Sequence, residues 1–112
     1  MAHAPSLTEK HCRPCEGGEP TLPPDEARRL LESVPDWRLE GDAIVLDHAF
    51  RDFQAALDWI NEVGRIAEAE GHHPDLHLHG YKQVRTTLST HAIGGLSEND
   101  FILAARIDQV PR

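Results

Sequence analysis

The chain has 112 residues and a mass of 12.5 kDa, enough for one hydrophobic core and too little for two. Against 19 Asp and Glu it sets only 11 Lys and Arg, and the resulting formal charge of −8 repels a phosphate backbone and argues against direct nucleic-acid binding. The hydrophobic share of 39% is too high for a disordered chain, and the longest unbroken apolar run, Phe101 to Ala105, falls far short of the roughly 20 residues of a membrane-spanning helix. No apolar block of a secretory leader opens the chain, and Cys12 and Cys15 are too few and too close together to staple a domain. A cytoplasmic protein is expected.

Residues 1–20 carry Pro, Gly, Cys and charge without periodicity and read as an irregular, solvated arm, with the domain proper spanning 21–112. Thr21 and Pro23–Pro24 open a segment in which Ala27, Leu30, Leu31 and Val34 follow helical spacing, and Pro35 ends it. Residues 37–40 and 43–50 flank the turn formers Gly41 and Asp42 and read as a β-hairpin. From Asp52 to Glu70, Phe53, Ala56, Leu57, Ile60, Val63 and Ala67 line one face of a long helix that Gly71 stops. A second hairpin is expected over 76–81 and 84–91 around Lys82 and Gln83. After Gly94–Gly95, Ser97 and Asp100 make a capping box for a last helix ending near Val110. The order αββαββα, with strands joined as hairpins, predicts an α+β fold: a four-stranded antiparallel sheet with helices on one face.

Eight histidines are present, and five of them fall between His72 and His91. Adjacent helical residues point about 100° apart, so His72 and His73 would not normally serve one site. Pro74 changes this by pushing His73 into extended geometry, so that both rings sit on a helix-to-strand corner. Glu68 lies one helical turn before His72 and is expected to orient its ring. His91, at the far end of the second hairpin, is placed to face the pair across a pocket. Imidazoles around one cavity can deliver and remove protons near neutral pH, the work of a dehydration or tautomerisation.

Two other patterns carry weaker readings. His77 and His79 alternate on a strand and, with His72, His73 and Asp75 nearby, suggest a histidine-based metal site, but no HExxH or comparable ligand spacing is present. Cys12 and Cys15 form a CxxC that, even with His11, is one ligand short of a closed zinc site. Trp37 and Trp59 read as core or interface.

Glu68, His72–His73–Pro74, Tyr81, His91 and Asp100, together with the segment LSTHAIGGLSENDFILAARID, resemble the pterin-4a-carbinolamine dehydratases over residues 21–110. The arm HCRPCEGG is similar to one that some bacterial members carry. The resemblance implies a lyase that removes water from 4a-hydroxytetrahydropterin to give quinonoid dihydropterin, recycling the tetrahydropterin of an aromatic amino acid hydroxylase. It implies a homodimer or homotetramer and no metal or organic cofactor. It assigns catalysis to His72, His73 and His91 with Glu68 as acidic helper, and pterin contacts to His72, His73, Pro74, Thr90, His91, Ala92 and Ile93. Animal relatives also serve as dimerisation cofactors of a transcription factor, so a non-catalytic binding scaffold is the alternative, and a histidine metalloprotein a third.

Overall fold

The structure is a computed structural model that describes residues 6–14, 17 and 19–112. In chain order its elements are α1 (Pro24–Leu31), β1 (Arg38–Glu40), β2 (Ala43–Ala49), α2 (Phe53–Glu70), β3 (Asp75–His79), β4 (Gln83–Leu88) and α3 (Glu98–Asp108), with short 3-10 turns at Leu7–Glu9 and His91–Ile93. The strands form one antiparallel sheet in the order β1-β2-β4-β3. The α+β architecture expected from the sequence is therefore the one observed. Among the described residues, no helix is long and apolar enough to cross a membrane.

Alternation along the strands decides which face is covered. Ile44 and Leu46 of β2 stand opposite Leu88 and Thr86 of β4, and all four are buried. They meet Ala56, Trp59, Val63 and Ala67 of α2 and the apolar run Phe101–Ala105 of α3, so the helices cover this face and the core lies between the layers. The opposite face carries the buried Val45 beside a charged network in which Asp47 bonds Arg85 at 2.9 Å and Arg38 at 2.8 Å across neighbouring strands. Trp37 and Trp59 are core residues, and Trp37 donates its indole N–H to Asp108 at 2.9 Å.

Three local departures from the sequence reading have physical causes. The second hairpin pairs His79 with Gln83, so its turn is Gly80–Tyr81–Lys82 and not Lys82–Gln83. Gly80 and Tyr81 both take positive φ, at 53° and 55°, a conformation no hydrophobic pattern reveals in a tyrosine. Strand β4 ends at Leu88, and His91 opens a 3-10 turn instead of closing a strand. The arm is the third. Leu7 is buried in the core, Cys12 packs against that core, and the chain from Lys10 to Arg13 is hydrogen-bonded to α2 and α3, so this stretch is docked where a solvated tail was expected.

Candidate active site

Helix α2 starts with Asp52 accepting the Ala55 N–H at 2.8 Å and ends on Gly71, whose φ of 64° places it in the left-handed region. The His72 N–H then returns to the Ala67 carbonyl at 3.2 Å, the closing bond of a Schellman turn. This turn swings His72 off the helical track. Its Nε2 lies 2.6 Å from Oδ1 of Asp100, and Glu68 instead meets Nε2 of His73 at 2.5 Å. The expectation that Glu68 orients His72 is thus corrected: the rule for residues one turn apart fails once a left-handed glycine intervenes.

Asp100 is fully buried. Its Oδ2 accepts from the Thr90 hydroxyl at 2.8 Å and from the Ser97 N–H at 3.0 Å, while Oδ1 faces His72. One carboxylate thus caps α3, ties down the segment before His91 and holds a histidine. An ionised carboxylate only accepts, so His72 presents N–H from Nε2 and keeps Nδ1 for other work; the exposed Glu68 has the same relation to His73. The two supports differ in strength, because the His72 and Asp100 side chains are 12% and 0% exposed and those of His73 and Glu68 are 61% and 78%.

The loop carrying His91 is pinched by a bridge in which Thr90 pairs with Gly95, with Gly94 at a φ of 70°. Gly95 is required by close approach, since a Cβ there would lie 2.7 Å from Cγ2 of Thr21. The pinch turns His91 toward the α2 corner. His72, His73 and His91 line one hollow of about 220 Å³, together with Ser89, Thr90, Ala92 and Asn99 and with Arg13 and Pro14 of the arm. Of the residues expected to touch substrate, Ile93 lines a second hollow that shares Arg13, Pro14 and Asn99 with this one, and Pro74 lines neither. Larger hollows of about 340 Å³ occur around Asp47, His79 and Arg85 and around Leu22, Ile93 and Glu98, but neither gathers three imidazoles.

Sequence reasoning gave Asp100 only a capping role. The partner of His72 was hidden because its serine-to-aspartate spacing already had a sufficient local explanation. The metal reading finds no support in geometry, as no cluster of three or more His, Cys, Asp or Glu suited to a metal ion occurs among the described residues. His77 and His79 stack at 4.9 Å between ring centroids on the exposed side of β3. The Cys12 thiol is half-buried and pushed up to about 12 by burial and by the Glu70 carboxylate; Cys15 lies outside the described residues.

The family described as Pterin 4 alpha carbinolamine dehydratase matches residues 20–110. A protein of Methylococcus capsulatus provisionally named a pterin-4-alpha-carbinolamine dehydratase is 49% identical over 94% of this chain and 93% of its own. One of Halorhodospira halophila with the same provisional name is 49% identical over 92% and 95%. Among solved structures, a transcriptional coactivator/pterin dehydratase from Brucella melitensis superimposes with a TM-score of 0.74 at 28% identity, covering 80% of this chain and 96% of that one. A pterin dehydratase-like protein described as a RuBisCO assembly factor in the alpha-carboxysome gives 0.56 at 25% identity, covering 66% and 87%. With a match across nearly all of the folded domain and relatives at this identity, the chain belongs to the pterin 4 alpha carbinolamine dehydratase family.

Proposed function

We propose that the protein dehydrates a 4a-hydroxytetrahydropterin to quinonoid dihydropterin by histidine acid–base catalysis. The observation that carries the reading is the convergence of His72, His73 and His91 on one hollow, with the His72 ring held by a buried carboxylate. Hydroxide is a poor leaving group from carbon 4a. An imidazolium donates a proton as the C4a–O bond breaks, water departs, and a neutral imidazole takes the proton from N5 while its electrons form the C4a=N5 double bond. Each proton transfer is worth roughly 10² to 10⁴ in rate. His72 and His91 act as the acid–base pair, His73 binds the pterin, and Glu68 steadies His73 rather than His72. The quinonoid dihydropterin so formed, once reduced by a separate reductase, restores the tetrahydropterin of an aromatic amino acid hydroxylase, and the working form is a homodimer or homotetramer.

Stopped-flow decay of a synthetic carbinolamine tests the reading. The wild-type chain is expected to accelerate the decay, and His72→Ala and His91→Ala each to lose about 10²-fold or more of that acceleration. A wild-type chain with no effect on the decay, or His91→Ala at full activity, overturns it and leaves the family fold as a binding scaffold.

A further inference from the structure

The arm precedes residues 20–110, over which the family is recognised, yet it forms part of the hollow. Lys10 Nζ reaches Glu98 at 3.0 Å, the His11 ring meets Glu70 at 2.9 Å, and the Cys12 N–H donates to the same carboxylate at 2.8 Å. The last clamp is two-sided: the Arg13 N–H donates to Oδ1 of Asn99 at 2.9 Å, and Nδ2 of Asn99 donates to the Arg13 carbonyl at 2.5 Å. Asn99 is buried in the first turn of α3, next to the aspartate that holds His72. The backbone of residue 13 is therefore fixed on a rigid element beside the histidines.

Among the described residues, no carboxylate takes up the charge of Arg13. Every other arginine of the chain has a carboxylate oxygen within 4.0 Å, whereas among the described residues none pairs with Arg13. An exposed guanidinium on a fixed backbone at the edge of a hollow is a receptor for an oxyanion. The setting sharpens this, because a molecule of charge −8 otherwise repels an anionic ligand. Pterins share the ring system and differ mainly in the chain at C6, which is either neutral or ends in an anionic group.

We propose that Arg13 is a specificity-determining residue that favours pterins whose C6 side chain ends in an oxyanion. This rests on the pterin reading of the site given above. Equilibrium binding, followed by fluorescence at low ionic strength, compares a dihydropterin bearing a hydroxylated C6 chain with its terminal monophosphate and with a carboxylate-ended analogue. Wild-type protein is expected to bind both anionic forms about tenfold more tightly than the neutral one. That ratio falls to about one in Arg13→Ala, inverts in Arg13→Glu and is partly restored in Arg13→Lys, while Arg65→Ala, which is not among the residues lining the hollow and is paired with Glu62, keeps it. Equal affinities in the wild type, or a preference that survives Arg13→Glu, overturn the inference. Parallel carbinolamine kinetics separate the two claims. Dehydration without an anionic preference removes this inference alone, an anionic preference without dehydration supports it and removes the dehydratase reading, and failure to bind any pterin removes both.

Discussion

The proton chemistry proposed for His72 depends on Asp100. Replacing Asp100 by Asn puts an amide in a place that now accepts three hydrogen bonds, from Thr90, Ser97 and His72. The amide oxygen can still serve Ser97 and Thr90, but its NH₂ then faces the Nε2–H of His72, donor against donor, and the ring must change tautomer. Asp100→Asn is expected to cut kcat by about 10- to 100-fold and to cost about 1–3 kcal/mol in urea unfolding; kcat within twofold of wild type would show that the carboxylate only caps the helix. Cys12 offers a second test at this scale. With its thiol near 12, raised first by burial and next by Glu70, it is expected in a Cys15→Ser background to alkylate roughly a thousandfold more slowly at pH 8 than an unfolded cysteine. Rapid labelling of folded protein would contradict that. The three imidazoles were legible in the sequence because clustering, Pro74 and the resemblance all point to them. The pairing of Glu68 with His73 and of Asp100 with His72 was not, since it follows from one left-handed glycine whose effect on ring direction leaves no pattern in the residues around it.

Elements place the site through contacts distant in sequence, and here two segments do most of the positioning. The Thr90–Gly95 pinch lies against Thr21, so Gly95→Ala is expected to destabilise by about 1–3 kcal/mol, and Thr21→Ser, which removes the clashing Cγ2, to recover most of that loss in a double-mutant cycle. Additive effects would place the strain elsewhere. The arm is held at Glu70, whose side chain is 7% exposed. Burial alone would raise its carboxyl, but the Cys12 N–H, His11 and Arg106 outweigh burial and hold it below the ordinary range. A lowered folded-state value stabilises above the unfolded value and is lost as pH falls through the folded one. Glu70→Gln is therefore expected to cost about 1–2 kcal/mol at pH 7, with the gap to wild type closing below about pH 4; a gap that stays constant across that range would contradict the anchor. The helices, the first hairpin and the glycine stop at Gly71 were readable from period and turn chemistry. The docking of the arm was not, because the partners of Lys10, His11, Cys12 and Arg13 lie 58 to 88 residues away and nothing local in HCRPC marks them.

On the scale of the whole molecule, a thin two-layer domain leaves its outer strands open. The edges are β1 and β3, and among the described residues no strand pairs the outer side of β3 over Asp75–His79, which carries neither Lys nor Pro to protect it. Such an edge suits the homo-oligomer proposed above, and sedimentation is expected to give two or four times the 12.5 kDa chain mass; a monomer at all concentrations would remove that part of the reading. Fold class was legible because αββαββα with short hairpins admits few packings, whereas the hollow was not, since it forms only where the α2 corner, the pinch after β4 and the arm meet. The convergence of three rings on that hollow is most directly tested by NMR of histidine-labelled protein, with signals assigned by single replacements and titrated with a dihydropterin. The ring signals of His72, His73 and His91 are expected to move together with one Kd while those of His77 and His79 stay fixed; a His91 signal that does not respond at saturating pterin would contradict the account.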